Sequence, residues 1–437
     1  MDFALLILVT AFLRIRPEDF VPALEPLQVY AIAILVCTAF ALHKLAAELS
    51  AVFAGQRPIV AFMFGIMIFI FLSDAAQGEV ALGLNSAFEF VKVIVFVLLL
   101  VGIVDSPGRL RWFLACVVVI DLVPTSLATL HYYGYIHIPA FDALASTDTP
   151  DIDPDTGGAV IVRRLIATGM FADPNDFSEI LNTGLMFCFS GLLEKAAGFA
   201  RGIWLAPIAL FGWALKLTGS RGGLLGTFAG LAVLFWARFG RRKAILAALI
   251  FVPLFLMVAK GRFTQFSASE GTGKARVEIW HESFDALRHS TIIFGVGALR
   301  HVEVVGRATH NGFLCAFTEL GILGGSLYFG AFYYALTTLW RLGSTSFTIH
   351  DPVVRRLHPY ILAALVGYAI NEMSLTHPYT VVTYMMLGLA TVCLRLADPD
   401  LTLEGSRLSG KMVMQVFKVS AIFLVLLFAF VRAQLGY

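Results

Sequence analysis

The chain has 437 residues, 58% of them apolar and 14% charged, with 32 Lys and Arg against 30 Asp and Glu for a net charge of +2. A soluble domain carries about 25% charged and 45–50% apolar residues, so the composition excludes one and predicts a polytopic membrane protein. The near-neutral balance leaves no basic face for a nucleic acid, and at roughly 30 residues per span and loop the length allows about a dozen crossings. Residues 1–437 therefore read as a single transmembrane domain with no separate soluble part.

In chain order, the apolar stretch Phe3 to Leu13 lacks a basic start and a small-residue cleavage site, so it reads as a retained span and not a signal peptide. Further apolar runs bounded by charge, Pro or Gly fall at 27–42, 58–72, 87–104, 111–130, 175–193, 202–217, 222–237, 243–259, 310–338, 357–372, 379–394 and 412–431, which with 2–13 makes thirteen. They are too long and too continuously apolar for barrel strands, which alternate with period two, so the expected fold is all-α. Cys37, Cys116, Cys188, Cys315 and Cys393 lie in apolar runs without close pairing and read as small buried hydrophobes. There is no internal repeat.

Lys and Arg in alternate short loops split sixteen to seven once the long 260–309 segment is set aside. By the positive-inside bias this puts the N-terminus and the basic loops in the cytoplasm, and the hydrophilic segments 131–174 and 260–309 on the far side. Seven far-side cations then sit in the 260–309 segment, against the usual bias.

Several motifs could carry chemistry. Asp151-Ile-Asp153-Pro-Asp155 looks like a calcium-loop start, but Thr156 stands where the loop needs Gly and Val162 where it needs Glu, so a solvated acidic loop is the better reading. The segment Gly169-Met170-Phe171-Ala172-Asp173-Pro174-Asn175-Asp176-Phe177 reads as a turn into a span that Asn175 or Asp176 could cap, with Asp173, Asn175 and Asp176 also available to sugar hydroxyls. In Thr218-Gly219-Ser220-Arg221-Gly222-Gly223, small residues leave the Arg221 guanidinium unobstructed, whether for a ligand or for lipid headgroups.

From Thr272 to Gly325 a cationic, partly amphipathic stretch feeds a span. Arg276, Trp280 and Phe284 recur every fourth residue as on one helical face, Gly295 and Gly297 interrupt the chain, and Arg307, His310 and Asn311 lie at the membrane entry. Such a stretch is either solvated and in contact with headgroups, or an anion site in which guanidinium forks and a helix N-terminus meet phosphate oxygens. Glu319 is a carboxylate within the membrane, about 13 Å along an ideal helix from His310 and on its opposite face; it either meets substrate or pairs with another span. Glu89 and Lys92, three apart, are expected to neutralise each other. Asn371 and Glu372 close a span near His377 and could line the same cavity. No HExxH, GxSxG or Walker A motif is present.

Taken together, Ser220-Arg221-Gly222-Gly223, Arg276 with Trp280, Gly295-Val296-Gly297 and the run Arg307, His310-Asn311, Glu319-Leu320-Gly321-Ile322-Leu323-Gly324 resemble the O-antigen ligase and O-antigen polymerase superfamily. Phe171 to Asp176 and Arg16-Pro17-Glu18 resemble members acting on exopolysaccharides. The resemblance implies a bacterial inner-membrane, inverting glycosyltransferase with a GT-C-like helical fold. It would transfer a glycan from an undecaprenyl-diphosphate-linked oligosaccharide donor to a glycan or lipid A core acceptor on the periplasmic face, with no metal and no cofactor. A thirteenth span departs from the usual twelve and would leave the C-terminus outside.

The residues suit that reaction. Cleaving a glycosyl diphosphate builds negative charge that Arg221, Arg276 and Arg307 could stabilise, while a neutral His310, its imidazolium discouraged by Arg307, accepts the acceptor's proton or only donates to a phosphate. Asn311, Trp280, Asp173, Asn175, Asp176 and Glu319 are the expected substrate contacts. A transporter would also place charges in the membrane, but its paired Gly/Pro interruptions in two halves are not seen; a lipid-binding scaffold stays open. The Asp-Pro-Asn segment favours polymerase over ligase.

Overall fold

The computed structural model describes residues 1–142, 150–152, 159–161, 163–258, 271–344, 347–375, 378–403 and 405–436. Its helices are α1 (Asp2–Ile15), α2 (Pro17–Phe20), α3 (Val29–Phe53), α4 (Pro58–Ala76), α5 (Val80–Ile103), α6 (Pro107–Tyr132), α7 (Pro139–Asp142), α8 (Pro174–Leu192), α9 (Leu205–Thr218), α10 (Arg221–Phe239), α11 (Arg241–Val258), α12 (Gly271–His289), α13 (His301–Val305), α14 (Gly312–Leu342), α15 (Pro352–Asn371), α16 (Val381–Ala397) and α17 (Gly410–Leu435). Among the described residues the only sheet is the antiparallel pair β1 (Pro150–Ile152) and β2 (Ala159–Ile161), with Pro150 opposite Ile161. The all-α expectation stands.

Every one of the thirteen expected spans is a helix, but they are not alike. Among the described residues nine helices are long and apolar enough to cross a membrane, and Val381–Ala397 is a shorter apolar one. The remaining three are α1, α8 and α11. With 14 residues, α1 reaches about 21 Å against a hydrocarbon core of about 30 Å. In α8 every residue from Pro174 to Cys188 is buried, Asn175, Asp176, Ser178, Glu179 and Asn182 included. A helix enclosed by protein need not be apolar all round, which is why it falls short by composition.

The chain forms two compact units. The first comprises Met1–Phe40, Ser106–Gln265 and Arg356–Asn371, and the second Ala41–Asp105, Phe266–Arg355 and Glu372–Tyr437. In the first unit α8 is flanked by α6, α9 and α10. The short α1 is held to α6 by a fully buried, two-pronged ion pair, Arg14 Nε to Asp121 Oδ1 at 2.5 Å and Arg14 Nη2 to Asp121 Oδ2 at 2.8 Å. Helices α10 and α15 approach through glycine: a Cβ on Gly226 would lie 2.5 Å from the Gly367 carbonyl oxygen, and one on Gly230 would lie 2.8 Å from that of Ala363. Small residues at such crossings let backbones meet where the bilayer offers no hydrophobic drive.

In the second unit α14 is the central helix, packed on α4, α12, α16 and α17. Elsewhere in this unit Glu48 of α3 accepts from both Arg57, just before α4, and Arg395 of α16 at 2.7 Å. Glu89 and Lys92 pair as expected, at 2.5 Å. All five cysteines are free.

Two expectations need correction. In the 260–309 segment, expected as a loop, the described residues form α12 over nineteen residues and the short α13, joined by a loop, because the apolar residues of α12 recur at helical spacing and find a partner surface. And α14 neither starts at His310 nor runs unbroken: it begins at Gly312 and is interrupted at Gly321, φ 71° and ψ −175°. The His310–Glu319 geometry of an ideal helix therefore does not apply. Asp153, Asp155 and His377 lie outside the described residues.

Candidate active site

In the second unit the entry to α14 is built by three pieces of chain. The first is α12, whose Val277 and Phe284 bury with Leu314 of α14 and with Leu427 and Val431 of α17, Trp280 packing against the same cluster. The expected face of Arg276, Trp280 and Phe284 is thus a real helical face. Trp280 donates its indole N–H to the Thr309 carbonyl at 2.9 Å, which ties α12 to the residue just before His310. Arg276 stands one turn away from Trp280, about 6 Å along the axis, and is half-buried.

His310 has φ 47°, one of five non-glycine residues with positive φ among the described residues. Holding an imidazole-bearing residue there costs about 1–3 kcal/mol, and such strain gathers at functional sites. Asn311 follows as the helix cap: its Oδ1 accepts the Leu314 N–H at 3.1 Å. It is fully buried, and its Nδ2 and the Thr309 hydroxyl have no hydrogen-bond partner among the described residues. Arg307 is exposed and paired with Glu282 at 2.7 Å, so part of its charge is already answered.

The third piece is the loop between α12 and α13. It docks by its backbone into the break in α14: Val296 N–H donates to Thr318 O at 2.9 Å, Gly297 N–H to Glu319 O at 3.2 Å, and Ile322 N–H to Ile292 O at 2.9 Å. A Cβ on Gly295 would lie 2.4 Å from the Glu319 carbonyl, and one on Gly321 would lie 2.2 Å from that of Ile293. Gly295 and Gly321, both at positive φ, are glycines because nothing larger fits this junction. The Glu319 carboxylate, 3% exposed, accepts the first N–H of α13, from His301, at 3.1 Å. Ala298 N–H donates to Asp74 of α4 at 2.8 Å, and Gln77, just past the end of α4, donates to Gly295 O at 2.7 Å.

His301 is buried against α12, its Nε2 2.8 Å from Ser283 Oγ. That hydroxyl also donates to Ile279 O at 2.7 Å. Burial pulls the imidazole down from 6.5 to about 4. The folded state therefore takes up a proton less readily than the unfolded chain, and the stability this confers is present above pH 6.5 and lost as pH falls towards 4. Its size is on the order of 3 kcal/mol. Protection factors of the amides across 298–306, which remove the intrinsic pH dependence of exchange, should fall through that window in the wild type and stay level in His301→Gln.

Glu372, which the sequence offers only as able to line the same cavity, is not among the expected substrate contacts. It opens the turn after α15, is fully buried, and accepts from the Tyr328 hydroxyl at 2.5 Å. A Cβ on Gly312 would fall 1.9 Å from its Oε1. A carboxylate thus lies against the first turn of α14, beside Asn311.

The first unit holds the other candidates. The cap of α8 is Asp173, whose Oδ1 accepts from Asn175 N–H at 2.6 Å, and not Asn175 or Asp176; Pro174 takes the first helical position, where its missing N–H costs nothing. Asn175 Oδ1 accepts from Ser220 at 2.8 Å, and Ser220 caps α10 by accepting Gly223 N–H at 3.0 Å. Ser178 donates to Asn175 O at 2.6 Å. Arg221 is therefore the first residue of a helix whose start is locked to the start of α8. The glycine at 223 serves that contact, since a Cβ there would lie 2.3 Å from Ser178 Oγ. Asp176 is 9% exposed. Arg16 packs on Gly169, where a Cβ would lie 2.3 Å from its Cδ.

The comparison with known families bears on this arrangement. Residues 206–329, from α9 past the break in α14, match the family model described as O-Antigen ligase. The resemblance to the O-antigen ligase and polymerase superfamily holds. The O-antigen ligase segment includes Arg221, Arg276, Trp280, Arg307, His310, Asn311 and Glu319, while Asp173, Asn175, Asp176 and Glu372 lie outside it. No curated protein matches the chain. The family supports a glycosyltransferase of ligase or polymerase type in a multi-pass membrane protein.

Proposed function

We propose that this chain transfers a glycan from an undecaprenyl diphosphate donor to an acceptor sugar hydroxyl on the periplasmic face of a bacterial inner membrane, extending O-antigen or exopolysaccharide repeats. The observation that carries the reading is His310, held at positive φ directly before the buried cap of α14 and tied through Thr309 to the helix that presents Arg276. His310 removes the proton as the acceptor oxygen attacks the anomeric carbon with inversion. The bond from that carbon to the phosphate oxygen breaks, and the diphosphate leaves with the electron pair. Arg276, with Arg307 at the rim, stabilises the charge that grows there, with no metal required. Arg221, the first residue of α10 in the first unit, is a separate candidate for binding an anion.

Asn311 offers its Nδ2 to substrate while Oδ1 caps the helix, and Trp280 offers a glycan contact; Asp176, in the first unit, is a separate candidate for one. Asp173 and Glu319 act by accepting backbone N–H groups, and Asn175 by accepting from the Ser220 hydroxyl. Transfer to lipid A core by the same chemistry is the second reading; the polymerase is preferred for the Asp-Pro-Asn entry to α8.

The glycans of a deletion strain separate the two. Single repeats on the acceptor are expected for a lost polymerase. Long chains stranded on the lipid carrier would instead assign the ligase, and an unchanged profile would remove both.

A further inference from the structure

The loop between α12 and α13 is irregular, yet its backbone donors are fully answered. Phe294 and Gly295 N–H donate to Thr291 O, Val296 and Gly297 N–H to α14, and Arg300 N–H to Gly297 O at 3.4 Å. Ala298 N–H goes to Asp74, and Leu299 and His301 N–H both reach the Glu319 carboxylate. Every backbone N–H from Phe294 to His301 thus has an acceptor within the protein, and Gly295 to Ala298 are buried. A loop standing in water has no need of such closure, whereas one at membrane depth persists only with it.

The flanking side chains face the other way. Ile292, Ile293, Leu299, Val302 and Val304 are 46–64% exposed, Leu299 at φ 60°. Ile322 of α14, whose N–H pairs with Ile292 O, is itself exposed, so the apolar patch continues onto a helix long and apolar enough to cross a membrane. Residues 291–305 hold one arginine, one glutamate and no lysine or aspartate, and Arg300 and Glu303 pair at 3.1 Å. The depth follows from α4. Its 19 residues make about 28 Å, close to the full hydrocarbon thickness of about 30 Å. Phe69 lies about 10 Å short of the Ala76 end of that helix, and its ring centroid is 6.3 Å from that of Phe294. The tip of the loop therefore sits below the level at which α4 leaves the membrane.

We infer that residues 291–304 form a re-entrant segment whose exposed apolar side chains sit among the acyl chains of the leaflet bordering the entry to α14. The occupant of the patch is lipid hydrocarbon, because the surface is continuous with a spanning helix and its two charged residues answer each other. The test places a bimane-labelled cysteine at Ile293→Cys, or at Lys274→Cys near the start of α12, in the full chain in proteoliposomes. Both side chains are exposed, so neither substitution removes packing, and the labelled unsubstituted chain supplies the background of the native cysteines. Two quenchers are compared, a nitroxide carried on the phospholipid acyl chain and iodide present on both faces. The label at 293 should be quenched by the acyl-chain nitroxide and lose its iodide quenching, whereas the label at 274 should show the reverse. Iodide quenching at 293 as strong as at 274 would put the loop in water and overturn the inference. Protection of 293 from both quenchers would also overturn it, since a protein surface, from a second copy or another chain, would then cover the patch.

Discussion

His310→Asn is expected to insert and fold as well as the wild type and to lose transfer by about 10²–10⁴-fold, the usual worth of a general base. Asparagine is chosen over alanine because it tolerates the left-handed backbone far better than most residues, so the φ of 47° at this position is kept and only the imidazole is removed. His310→Gly relieves the strain altogether; it should be no less stable than wild type and equally inactive. Arg276→Ala should cost about 10²–10³-fold, in the range of other losses of one charge-stabilising donor, with thermal stability in detergent unchanged because its neighbours Trp280 and Phe284 carry the packing of α12. Initial rates with a purified lipid-diphosphate-linked oligosaccharide, read beside melting curves, check all three.

The largest effect on stability should come from the pair between α1 and α6. Removing one partner of a buried ion pair leaves a charge without compensation and costs about 3–5 kcal/mol. Both Arg14 and Asp121 have fully buried side chains, and α1 is too short to be secured by length alone. Asp121→Ala should therefore lower the detergent melting temperature sharply. Arg14→Leu/Asp121→Leu should recover most of it, because neither charge then remains to be solvated. A double variant as unstable as the single one would show that the pair supplies attraction beyond mutual neutralisation.

These outcomes rest on features that differ in how visible they were beforehand. The helical architecture was legible throughout, since continuous apolar runs admit no other backbone in a bilayer. What composition could not reveal is which helices face protein: α8 carries buried Asp176, Glu179 and Asn182, and only its neighbours make that tolerable. At the candidate site, the periodicity of Arg276, Trp280 and Phe284 and the Arg-x-x-His-Asn spacing from Arg307 were legible because each is local. The partners were not. The pairing of Arg307 with Glu282 spans 25 positions, and the cradle that the Gly295 loop finds in the α14 break depends on Gly321 adopting φ 71°. Glu319 illustrates the limit well. An acid within a span invites a role in substrate binding, yet its carboxylate accepts a backbone N–H from α13. Asp173 and Asn175 likewise engage the starts of α8 and α10.

The central claim, that His310 takes the acceptor proton, is tested most directly by the pH dependence of single-turnover transfer between about pH 5 and 8, where an imidazole ordinarily titrates. The wild-type rate should fall tenfold per unit on the acid side of one titration, and the residual rate of His310→Asn should show no such limb. A wild-type profile that is flat across this range, or a His310→Asn variant that turns over at the wild-type rate, would contradict the claim.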